Sequence, residues 1–128
     1  MRHNVLIVED DEDLREMMAQ ILSLAGFNAA TATNGREALE YLRRGDAPQL
    51  ILLDLMMPVM DGWEFQRERR RDPNLADVPV VVLSALDEVR AADAATHEFM
   101  KKPLDFERLL QIVKDYCGPA SSPGRHTR

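Results

Sequence analysis

The chain has 128 residues, 45% of them hydrophobic, which is enough for one domain with a buried core. Its 22 acids against 16 bases give a formal net charge of −6, which argues against a nucleic-acid or anionic-membrane surface on the domain itself. Its apolar runs stop at five or six residues, too short to span a bilayer, and its one cysteine, Cys117, excludes an internal disulfide.

NVLIV (4–8) is a short apolar, β-branched run and reads as a buried strand. Leu14, Met17, Met18, Ile21 and Leu22 follow at helical spacing, and Gly26 stops that helix. FNAATAT (27–33) is a weaker strand. Asn34 caps a second helix that turns Ala38, Leu39 and Leu42 inward and ends at Gly45. QLILLD (49–54) and VPVVVLS (78–84) are apolar strands. Between them, a helix over about 62–71 supplies Trp63 and Phe65 and then Gln66, Arg67, Arg69, Arg70 and Arg71. It reads as a thinly anchored, solvated helix with Glu–Arg pairs at three-residue spacing, or as a docking patch for an acidic partner. A short helix over about 87–95 precedes the strand HEFM (97–100), and Asp105 caps a last helix with Phe106, Leu109, Leu110 and Val113 inward.

Strands alternate with helices five times, and the strands are apolar almost throughout. That pattern predicts an α/β fold in three layers, a flavodoxin-like (βα)5 unit whose five-stranded parallel sheet has the order 2-1-3-4-5. Residues 1–118 form the expected domain, and the small, polar, proline-broken PASSPGRHTR (119–128) an expected flexible tail. The opening MRHNVLIVED has no apolar leader, and with the lone cysteine this fits a cytoplasmic location.

Ligands of such sheets bind beyond the carboxyl ends of the strands, where the strand order reverses. In this chain the first strand runs into Glu9 and Asp10, the third ends in Asp54, the fourth in Ser84, and the fifth is followed by Lys102 and Pro103. Each residue alone has an ordinary explanation. The acids of EDDED complement a helix amino end, an aspartate after a strand is a turn residue, a serine caps, and a lysine is solvated. Coincidence at four strand ends makes a site of them. Clustered carboxylates need a counter-charge, and with no histidine at these ends a hard, oxygen-liganded cation such as Mg²⁺ fits best. A cation and a lysine together neutralise phosphoryl oxygens, and an aspartate among them can act as a nucleophile and become an acyl phosphate.

VEDDEDLREMM, LLDLMMPVMDGW, VVVLSA and FMKKPLD occur in that order on these elements, and together they resemble the receiver domain of bacterial two-component response regulators. The resemblance covers residues 4 to about 117. It implies that Asp54 accepts a phosphoryl group from a sensor histidine kinase or a histidine phosphotransferase. Asp10 and Asp54 would hold Mg²⁺ directly, Glu9 through water, and the Met56 backbone carbonyl would be a further ligand. Ser84 and Lys102 would engage the phosphoryl oxygens, the Lys102–Pro103 bond would be cis, and Phe99 would be the rotating aromatic. The fourth predicted helix, the fifth strand and the fifth helix would then present a changed surface to a protein target.

Two features depart from the family pattern. Only 18 positions separate Ser84 from Lys102, which shortens the predicted helix over 87–95 by about one turn. His97 and Glu98 stand where small or glycine-containing turns are common. In addition, Met56 and Leu86 offer no carboxylate or amide to orient an attacking water, so a long-lived acyl phosphate is expected. The chain is read as a stand-alone receiver, with a receiver cut from a multidomain regulator as the alternative. A haloacid-dehalogenase-type hydrolase is remote, because Met56 occupies the position where such enzymes carry a second aspartate.

Overall fold

The computed structural model describes residues 4–45, 47–85 and 98–118. Strand β1 (Val5–Val8) leads to helix α1 (Glu12–Leu24), β2 (Ala29–Ala32), α2 (Gly35–Arg43) and β3 (Leu50–Asp54). Helix α3 (Gly62–Arg71), β4 (Val80–Ser84), β5 (Glu98–Lys101) and α4 (Phe106–Cys117) complete the described chain. All strand pairs are parallel and the sheet order is β2-β1-β3-β4-β5, as the sequence predicts. The helix predicted over 87–95, His97 and the tail 119–128 lie outside the described residues.

Period-two alternation divides the strands between two cores. Leu6, Val8, Ile51, Leu53, Val80 and Val82 pack beneath α2 and α3, whereas Val5, Ile7, Leu50, Leu52, Val81 and Leu83 pack beneath α1 and α4. Both faces are therefore covered, which is why these strands read as continuous apolar runs. At the first crossover, Gly26 adopts φ 95, a left-handed conformation that closes α1 and returns Phe27 to the core. The Asn34 and Asp105 side chains cap α2 and α4 by accepting backbone hydrogen bonds from Glu37, and from Glu107 and Arg108.

Three expectations need correction. Strand β2 spans only Ala29–Ala32, because the left-handed Gly26 turn precedes it and Thr33 N–H turns away to donate to Glu37 Oε1 of α2 at 2.7 Å. Met17 is 48% exposed, because the buried stripe of α1 is centred on Met18 and Leu22 and leaves Met17 on its flank. Helix α3 is firmly anchored. Arg69 is only 2% exposed, and its guanidinium donates to Gln66 Oε1 at 2.7 Å and to the carbonyls of Leu75, Ala76 and Val78 at 2.9–3.1 Å. The expected three-residue pairing holds for Arg71 and Glu68, 3.3 Å apart on the surface. Glu98 opens β5 and pairs with Arg108 at 3.0 Å.

Candidate functional site

The reversal of strand order places β1 beside β3, with Val8 next to Leu53. The chain leaves β1 through Glu9 and Asp10, and β3 delivers Asp54 to the same edge. One carboxylate oxygen each of Glu9, Asp10 and Asp54 lies within 4.8 Å of the others. Glu9 and Asp54 are buried, while Asp10 faces solvent. Lys102, arriving after β5, donates from Nζ to Glu9 Oε1 at 2.9 Å and lies 3.6 Å from Asp54 Oδ1. Its backbone N–H donates to the carbonyl of buried Ser84 at 2.8 Å, and the Lys102–Pro103 peptide is cis. The four strand ends singled out in the sequence thus meet at one cleft.

The segment between Asp54 and α3 turns sharply. Met60 N–H donates to Pro58 at 2.8 Å across Val59, whose φ of 70 is a costly conformation for a β-branched residue. Gly62 then passes so close beneath the strand end that a Cβ there would sit 2.7 Å from the Asp54 carbonyl oxygen. Asp61 caps α3 by accepting from Glu64 N–H at 2.9 Å. The Asp-Gly pair is therefore needed to start a helix directly beneath Asp54.

Burial raises the Asp54 carboxyl to about 7, reinforced by the charge of Glu9, opposed by Lys102, raised again by Asp10 and lowered by a hydrogen bond from the Met56 backbone. Burial works to lower Lys102, but its hydrogen bond to Glu9 and the charges of Asp54 and Glu9 outweigh that and raise it. Three acids facing one ammonium leave an excess of negative charge in the cleft. The donor set is all oxygen, with no histidine or cysteine in the cluster, and so suits a hard divalent cation such as Mg²⁺. Both Glu9 oxygens are already engaged, one by Lys102 and the other by Asp11 N–H at 3.1 Å.

Phe99 is partly buried and packs against the core beneath α2 and α3. Met56 is 59% exposed beside the cleft, and Leu86 lies outside the described residues. Arg15, which sequence reasoning passed over, donates to the backbone carbonyls of Glu9 at 3.0 Å and Asp10 at 3.5 Å. Its signal in the sequence is a long cationic donor placed in the first turns of the helix that follows the acids.

The chain matches the response regulator receiver domain family over residues 5–114. Among curated relatives, the response regulator MprA of Mycolicibacterium vanbaalenii is 39% identical over 114 residues, covering 86% of this chain and 48% of the relative. The polar-differentiation response regulator DivK of Brucella anthropi is 31% identical over 124 residues, covering 94% of this chain and 100% of the relative. The chain spans about half the length of MprA and of the RpaA and CpxR-homolog regulators it also matches. Among solved structures, the signal receiver domain of a histidine kinase from Syntrophus aciditrophicus superposes with a TM-score of 0.82 at 31% identity, covering 98% of each chain. A sensor histidine kinase receiver domain from Pseudomonas aeruginosa, solved with magnesium coordinated in its active site cleft, has a TM-score of 0.82 at 26% identity, covering 92% of this chain and 99% of that one. The helical order, the sheet and the acidic cleft agree with these matches, and the chain belongs to the response regulator receiver domain family of two-component signalling.

Proposed function

We propose that Asp54 is the phosphoacceptor of this receiver, taking a phosphoryl group from a phosphohistidine of a sensor kinase or histidine phosphotransferase. The observation that carries this reading is a nucleophile-sized carboxylate, 4% exposed, set between two further acids and the Lys102 ammonium. An Asp54 oxygen attacks phosphorus, the phosphorus–nitrogen bond breaks, and the donor imidazole leaves with its electron pair. Lys102 moves from Glu9 toward the added oxygens, and the Ser84 hydroxyl donates to one of them. Asp10, Asp54 and the Met56 carbonyl would ligate Mg²⁺ directly and Glu9, with both oxygens engaged, through water; when bound, the ion supplies neutralising charge to the phosphoryl oxygens.

The added group brings roughly 1.5 to 2 negative charges at pH 7 and three acceptor oxygens. It shifts the domain only by what it gains in the active arrangement over the resting one. Movement of Ser84 vacates space into which Phe99 turns, and the surface around β5 and α4 changes for a protein target. Residues 1–118 act as the switch and 119–128 as a polar tail. The match to DivK over its whole length supports reading the chain as a single-domain receiver. The relatives matched over about half their length support a second reading, in which the same switch controls an attached output domain. No described helix is long and apolar enough to cross a membrane, which is compatible with action in the cytoplasm.

Intact-mass measurement after incubation with acetyl phosphate and Mg²⁺ tests the phosphoacceptor reading. Gain of one phosphoryl group is expected, abolished by Asp54→Asn and by EDTA. Gain of the same mass by Asp54→Asn would refute it.

A further inference from the structure

Of the three acids, Asp10 is the exposed one, and among the described residues no hydrogen bond reaches its carboxylate. Its neighbours are fastened. Glu9 is gripped at both oxygens, and Asp11 is fixed by accepting from Leu14 N–H at 3.2 Å as the cap of α1. Asp10 is oriented only through its backbone, and the side chain that holds that backbone is Arg15. Its guanidinium bridges the successive carbonyls of Glu9 and Asp10 at 3.0 and 3.5 Å, fixing the peptide planes on both sides of the Asp10 Cα.

We propose that Arg15 is a positioning residue for divalent-cation binding, setting the direction of the Asp10 carboxylate through these two carbonyls. The inference rests on the metal-binding reading of the cleft given above. Arg15 contributes its hydrogen bonds to carbonyls and leaves the carboxylates open, so it orders the acidic loop without competing for the cation. A cation of the same charge bonded to Asp10 itself would block the ligand it was meant to align.

Two physical effects predict opposite signs for removal of this side chain. If Arg15 matters only as a nearby positive charge, Arg15→Ala makes the cleft more negative and tightens cation binding. If Arg15 positions Asp10, the same change weakens binding, as loss of an outer-shell partner does by roughly 10 to 100-fold in other metal sites. The ion provides a second discriminant. Mg²⁺ demands near-ideal octahedral geometry, whereas Ca²⁺ tolerates irregular ligand sets, so a misdirected Asp10 harms Mg²⁺ binding more.

The test is calorimetric titration of the whole chain with Mg²⁺ and with Ca²⁺, for wild type, Arg15→Ala, Arg15→Lys and Asp10→Asn. Urea midpoints in EDTA would accompany it to show that each variant is folded. The expected result is about tenfold weaker Mg²⁺ binding by Arg15→Ala, a loss of less than about threefold for Ca²⁺, and partial recovery in Arg15→Lys. Unchanged or tighter Mg²⁺ binding by Arg15→Ala, or equal losses for both ions, overturns the inference while leaving the cleft as a metal site. Failure of the wild type to bind either ion overturns both together.

Discussion

Replacing Asp54 by Asn removes a buried charge and nearly preserves the shape of the side chain. The Asp54 carboxyl rises from 3.8 to about 7 in the fold, chiefly through burial and then the charge of Glu9. That difference corresponds to about 4 kcal/mol of penalty on the ionised form, an upper bound because Lys102 and water relax around it, and about 1–3 kcal/mol is expected to be measurable. Because the folded-state value is raised, the protonated carboxyl favours the fold. This contribution is complete below pH 3.8 and is lost as the pH rises through about 7. In EDTA, wild type is therefore expected to lose stability between pH 5 and pH 8 relative to Asp54→Asn. At pH 8 the variant is the more stable by about 1–3 kcal/mol, a urea midpoint higher by roughly 1 to 2 M. Urea unfolding followed by circular dichroism at the two pH values measures the gap. A variant less stable than wild type at pH 8, or a gap that does not change with pH, would refute the claim that the cleft stores uncompensated negative charge.

Arg69→Ala should cost about 2–4 kcal/mol, since it orphans the carbonyls of Leu75, Ala76 and Val78, and Arg69→Lys should recover little of it because one ammonium cannot replace the guanidinium fork; thermal unfolding with retained phosphoryl uptake checks both. Gly62→Ala forces a Cβ to 2.7 Å from the Asp54 carbonyl oxygen and is expected to lower stability by about 2 kcal/mol and slow phosphorylation, read by unfolding and by intact mass. Met56, 59% exposed beside the cleft, presents no group that orients water. Purified phosphorylated wild type should therefore keep its phosphoryl group for minutes or longer, and Met56→Asn should lose it roughly tenfold faster. A wild-type half-life of seconds would contradict that reading.

The sheet and its cleft were legible because both depend on local rules. Apolar runs separated by capped helices dictate the parallel order, and the order brings residues 9, 10, 54, 84 and 102 to one edge. What was not legible depended on where backbone carbonyls point. Arg69 stands in a run of arginines that periodicity assigns to solvent, yet the turn after α3 aims three carbonyls back under the helix and draws one guanidinium into the core. Arg15 escaped notice for the same reason, because it serves the backbone of the acidic loop and not a side chain. The resting pairing of Lys102 also depends on tertiary geometry. Glu9 approaches the ammonium to 2.9 Å while Asp54 remains at 3.6 Å.

Reduction of the phosphorylated protein with borohydride, followed by peptide mapping, tests the central claim most directly, because an acyl phosphate of aspartate is converted to homoserine at the residue that carried it. Conversion confined to Asp54, and absent when Mg²⁺ is chelated during phosphorylation, is the predicted result. Conversion at Asp10 or Asp11 with Asp54 intact would contradict it.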